Sequence, residues 1–428
     1  MPSPISPDQL RLEIQRIVDT TPVLDIHTHL YPPSFGEIAL SGIDELVTYH
    51  YLIAELFRSS SLRPEEFWTM SKPRQADAVW DALFVRNTPI SEAARGVVAV
   101  LTAFGLDPSA PDLKPAREFF ASRNPETHLD DVLRLAGVSE IVMTNDPFDP
   151  SEAARWQEGS ANDPRFHAVL RLDLVINHWD AAREKLGALG YNVAEIPEHS
   201  TRELRRFLDD WIKIMRPLYM AVSLPPDFTF PDDSNRARII SNVVLPTCQA
   251  HEMPFAMMIG VRRRVNPALR EGGDGVGRAD IASIERLCAD FPENRFLVTV
   301  LSRENQHELC VAARKFSNLM PFGCWWFVNN PSIVLEITRE RLEMLGPSFI
   351  PQHSDARILE QLIYKWAHAR RSIAAALFET YETLLHDGWP LTTDHIQRDV
   401  KRMFQGNFRD WTRLSAAVPA SSPAGVSA

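Results

Sequence analysis

Two histidines one residue apart close the apolar run VLDIHTHL, residues 23 to 30. In an extended strand alternate side chains share a face, so His27 and His29 point the same way as Asp25, and both imidazoles can reach one ion. An H-x-H pair is a weak metal signal by itself. Further candidates stand at the ends of other apolar runs: Asn145 and Asp146, Arg171 and Asp173, Arg263, Trp325 and Trp326, and His353, Asp355 and Arg357. Two imidazole nitrogens and the Asp355 carboxylate make a hard donor set that suits a divalent ion.

These residues need a scaffold that brings distant segments together. The apolar runs are 23–30, 139–146, 167–173, 218–224, 254–260, 295–301, 319–326 and 349–355, with amphipathic stretches such as STRELRRFLDDWIKIM and DIASIERLCADF between most of them. Strand alternating with helix implies a parallel sheet, and eight such units imply an α/β (β/α)₈ TIM-type barrel with its chemistry at the C-terminal ends of the strands. In a closed barrel the first and eighth strands are neighbours, so the histidine pair faces Asp355. Residues 31 to about 135 break the rhythm with helical patterns and no good strand, which predicts a helical insertion after the first strand that caps the mouth. One domain over 1–415 is expected, with no internal repeat, and a small, Pro/Ser-rich disordered tail at 416–428.

Composition narrows the function classes. A chain of 428 residues with 45% hydrophobic and 24% charged residues has the make-up of a globular protein. Its formal charge of −11 argues against a general nucleic-acid or anionic-membrane surface, GVRRRVNPALR being a local exception. Cys248, Cys288, Cys310 and Cys324 lie in or beside apolar segments without C-x-x-C pairing, which suits buried thiols in a reducing compartment. Without a signal core or membrane-length apolar run, a cytoplasmic enzyme is expected.

The ordered motifs DIHTHL, YHYL (49–52), MIGVRR (258–263), PFGCWWFVNN and HSDAR resemble those of the uronate isomerases (glucuronate/galacturonate isomerases) of the amidohydrolase superfamily, over most of the chain. The resemblance implies metal ligation by His27, His29 and Asp355 and proton chemistry by Asp355 with Tyr51 and His50. It also implies substrate contacts from Arg171, Arg263, Trp325 and Arg357, one divalent ion such as zinc or manganese, a carboxylic acid substrate and a homo-oligomer. Interconverting an aldose and a ketose through an enediol needs a base, an acid and a charge stabiliser, which these residue types supply.

Two positions depart from the family pattern. Met258 stands where the family has a strand-five histidine, and a thioether is a poor ligand for zinc or manganese. The stretch AVSLPPD puts Ser223 and Leu224 where the family has an acidic residue, leaving His353 and Asp227 as the nearest compensations. A different reaction on the same scaffold, hydrolysis or carbon–carbon cleavage of a less polar acid, is therefore the alternative, and a non-catalytic binding protein is a third class. Structural readings stand beside the functional ones. His50 and Tyr51 could be helix-packing residues, one of the adjacent Trp325 and Trp326 should face outward, and Arg262 to Arg264 could be a solvated loop. His251 and His307 are expected to be structural.

Overall fold

The computed structural model describes residues 5–193 and 198–415, so the expected tail at 416–428 lies outside the described residues. Among the described residues ten strands form: β1 (Val23–Thr28), β2 (Val138–Met143), β3 (Phe166–His167), β4 (Leu170–Arg171), β5 (Met220–Leu224), β6 (Phe255–Ile259), β7 (Val261–Arg262), β8 (Gly275–Val276), β9 (Phe296–Val300) and β10 (Leu319–Pro321). One parallel sheet runs β1-β2-β3 and a second β10-β9-β6-β5-β4. A parallel bridge from Asn145 to Leu170 joins them, and another from Phe322 to Ile350 adds the last staves. Backbone bonds from Asp355 N to the His27 carbonyl (3.1 Å) and from His29 N to the Ala356 carbonyl (2.7 Å) close the ring. The result is an α/β TIM-type barrel.

Two expected strands take a different form. The third is two short pieces, β3 and β4, on either side of Ala168 and Val169. The eighth has no ladder: Ile350 makes one bridge, and 351–356 run as irregular chain whose backbone groups reach β1 instead. A loop bonded at its two ends can place Asp355 at φ +50, a left-handed conformation unusual for a non-glycine residue that an eighth strand would forbid.

The barrel wall obeys strand alternation. Phe255, Met257 and Ile259 face the outer core, whereas Ala256 and Met258 face the lumen. Parallel register stacks the lumen residues in layers: Ala221, Ala256, Leu297 and Met320 lie level with one another, and Ser223, Met258 and Thr299 form the layer above, toward the C-terminal ends. The outer helices follow their 3.6-residue period. Ile281–Asp290, for example, buries Ile281, Ile284, Leu287 and Cys288 on one stripe. Between β1 and β2, residues 33–136 hold helices and, among the described residues, no strand. No described helix is long and apolar enough to cross a membrane. All four cysteines are buried and free.

Candidate active site and metal centre

His27, His29 and Asp355 meet at the barrel mouth, where one ligand atom from each lies within 4.8 Å of the others. The Nε2 atoms of His27 and His29 are 3.6 and 3.3 Å from Asp355 Oδ1. Burial lowers the pKa of both histidines, and a neutral imidazole with a free lone pair is what a cation requires. Burial would raise the Asp355 carboxyl, but the His29 hydrogen bond and nearby positive charge, including Lys365, outweigh it and hold the group well below its ordinary range. On the far side of its ring, His27 Nδ1 is 3.3 Å from the Thr144 hydroxyl, a contact that directs Nε2 inward. This donor set fits a divalent ion.

Asp25 does not join that cluster. β1 carries a register irregularity between Asp25 and Thr28, so strict alternation fails there. Asp25 instead accepts hydrogen bonds from the Ser354 backbone N–H (3.0 Å) and Trp366 Nε1 (2.8 Å), which fixes the loop that presents Asp355.

One inner cavity of about 30 Å³ is lined by His27, His29, His50, Thr144, Arg171, Ser223, Met258, Arg263, Trp325, Trp326, Asp355 and Arg357. Nearly every residue expected at the site therefore reaches it. His50 begins the helix His50–Ser59 in the insertion, and burial pushes its pKa down to about 3. Its Nε2 and the indole Nε1 of Trp326 are buried without partners among the described residues, leaving two polar atoms that a ligand could satisfy. Arg171 is held by Asp173 through two bonds of 2.7 and 3.1 Å. Arg263 pairs with Asp274 (2.6 Å) and Arg357 with Glu271 (2.7 Å).

Several expectations are corrected. Trp325 and Trp326 both line the cavity, because Trp326 has φ +46 and starts a tight helical turn, Trp326–Val328, so the two do not alternate across a strand. Tyr51 is absent from the lining; its ring packs 5.0 Å from Tyr49 and 6.5 Å from Phe327. His353 does not join the His27, His29 and Asp355 cluster. It is fully buried, 5.1 Å from the His27 ring and 5.4 Å from Phe322, and neither ring nitrogen has a partner among the described residues. Gly323 makes room for it, since a Cβ there would meet His353 Cδ2 at 1.9 Å. Asp227 is exposed and lines neither this cavity nor the vestibule outside it. His251 and His307 make hydrogen bonds at the surface with Asp209 and Glu340, the structural role expected of them.

Lys365 escaped the sequence reading. It lies in the helix Gln361–His386, fully buried, and its Nζ donates to the Ser354 carbonyl (2.8 Å) beside Asp355. Burial lowers its pKa and the Asp355 charge opposes that fall. A lysine amid LIYKWAHA was the available signal, a charge where the helical period demands a core residue.

No protein-family model and no curated protein sequence matches the chain. Solved structures do. A uronate isomerase from Bacillus halodurans C-125 superposes with a TM-score of 0.94 at 53% identity, covering 96% of this chain and 97% of that one. A uronate isomerase from Thermotoga maritima (TM-score 0.77, 15% identity, 94% and 97% covered) and a glucuronate isomerase from Caulobacter crescentus (0.77, 14%, 98% and 97%) share the fold. With half of its residues shared with the Bacillus structure across nearly the whole of both chains, the protein is a member of the uronate isomerase family.

Proposed function

We propose that the protein interconverts a hexuronate aldose and its ketose. The observation that carries this reading is the convergence of His27, His29, His50, Arg171, Arg263, Trp325, Asp355 and Arg357 on one cavity in a chain of this family. His27, His29 and Asp355 would hold one divalent ion, zinc or manganese, which supplies electrostatic stabilisation of oxygen charge when bound. Asp355, kept ionised, would take a proton from the carbon next to the carbonyl, and His50, neutral and with a free Nε2, would serve the oxygen side of the enediol. Tyr51, behind His50, would act by positioning its ring, 4.7 Å away. Arg357 and Arg263 would hold the substrate carboxylate, Arg171 a hydroxyl or carboxylate oxygen, and Trp325 a sugar face. Incubating the metal-loaded protein with glucuronate or galacturonate and following the ketose by NMR tests this reading; turnover only of other acids would overturn it.

Met258 supports a second reading, hydrolysis or carbon–carbon cleavage of a less polar acid. It is 2% exposed on the lumen side, level with Ser223, so this wall of the cavity is a thioether and a hydroxymethyl group. With three protein ligands, from β1 and the loop after Ile350, the ion keeps open positions. Met258→His should tighten metal binding by adding an imidazole, and should lower activity on the natural substrate by placing a polar ring against its apolar side. Metal titration and steady-state kinetics check both halves. A large rise in uronate isomerisation would mean that the methionine merely weakens an ordinary uronate site, and unchanged metal affinity would mean that this side chain does not face the ion.

A further inference from the structure

The inner cavity, at about 30 Å³, is far smaller than the roughly 300 Å³ at the low end of ligand sites. A vestibule of about 940 Å³ adjoins it, sharing Arg171, Ser223 and Arg263, and Glu271 is among its lining residues. Glu271 belongs to an excursion between β7 and β8, an antiparallel pair that holds residues 262–275 as a hairpin over the barrel mouth. Its far end is tied to the helical insertion: Trp68 Nε1 donates to the Ala268 carbonyl (2.9 Å), and the Arg270 guanidinium lies 4.1 Å from the Trp68 ring centre. Gly272 sits so close to His50 that a Cβ would meet its carbonyl oxygen at 3.0 Å. From this roof the Glu271 carboxylate reaches Arg357, with Oε2 2.7 Å from Nη1.

We infer that Glu271 is a built-in stand-in for the substrate carboxylate, a latch on Arg357 that the incoming acid must displace. The inference rests on Arg357 as the carboxylate contact of the proposed function. Its chemistry is matched, because a carboxylate on a guanidinium edge is replaced by another carboxylate with no buried charge left unpaired. Its strength is matched too. Glu271 is 73% exposed and Arg357 35%, so water screens the pair and it is weak enough to yield. Neutral sugars cannot make the exchange, which gives the hairpin a selective role for acids before any chemistry occurs.

The test uses the metal-loaded full-length protein and D-gluconate, a six-carbon hydroxy acid with no carbonyl to isomerise. Glu271→Gln should bind gluconate about three- to fivefold more tightly, the range that a partly exposed ion pair allows, and the gain should appear in the uronate KM rather than in kcat. In an Arg357→Met background, where gluconate binding should be weak, Glu271→Gln should add nothing. Wild-type gluconate affinity in Glu271→Gln, with Arg357→Met still impaired, would overturn the latch and leave the carboxylate contact standing. Tightening that persists without Arg357 would also overturn it. Undiminished gluconate binding by Arg357→Met would overturn the latch together with the reading it rests on.

Discussion

The double substitution His27→Ala with His29→Ala should strip the protein of its ion and lower kcat/KM by about 10³-fold or more, the scale of several kcal/mol of charge stabilisation. Elemental analysis should find about one divalent ion per wild-type chain and almost none in the variant. The barrel should remain folded, because its wall rests on the two apolar clusters rather than on the imidazoles. Circular dichroism separates lost metal from lost fold. Since His27 is only 1% exposed, Asn replacements at both positions provide a version that fills more of the space. Equal metal in wild type and both variants would remove these residues from the ion site.

Arg357→Met should weaken use of an acidic substrate by about 2 to 4 kcal/mol, the scale for a lost charged hydrogen-bonding partner of a carboxylate. Arg263→Met should act in the same direction with a smaller effect. Its guanidinium is 58% exposed and already bound by the 5%-exposed Asp274, so solvent screens what it can offer a ligand. Comparing kcat/KM for the acid and for its neutral amide isolates the contribution of charge. A uniform fall with both compounds would make the arginines supports of the fold.

Much of this was legible in the sequence because barrel geometry is periodic. Apolar runs marked seven staves within a few residues, and polar residues at their C-terminal ends are by construction at the mouth. Three of the misplacements share one cause, departure from regular strand geometry. Asp25 was grouped with His27 and His29 by alternation, which the irregularity in β1 breaks. Trp325 and Trp326 were expected on opposite faces, and a left-handed φ at Trp326 puts both on the lumen. His353 was offered as a compensation for the missing strand-five ligand, although 351–356 form no strand and the ring packs into the core. Lys365 and Glu271 were missed for another reason. Each reaches the site from a segment that is not a stave, a surrounding helix and a surface hairpin, and no local pattern reports so distant a contact.

The seam between the first and last staves carries a consequence of its own. Most neighbouring staves share ladders, whereas at this seam, among the described residues, the ring is closed by backbone bonds from Asp355 N and His29 N, with Asp25 adding a side-chain tie to Ser354. A cation gripped by His27 and His29 on one side and Asp355 on the other would span that join. The ion would then be a fastener as well as a reagent, and by mass action its occupancy would raise the free energy needed to part the two chain ends of the barrel. Metal occupancy and the tightness of the ring are thus coupled, so stripping the ion should lower the stability of a barrel that still folds.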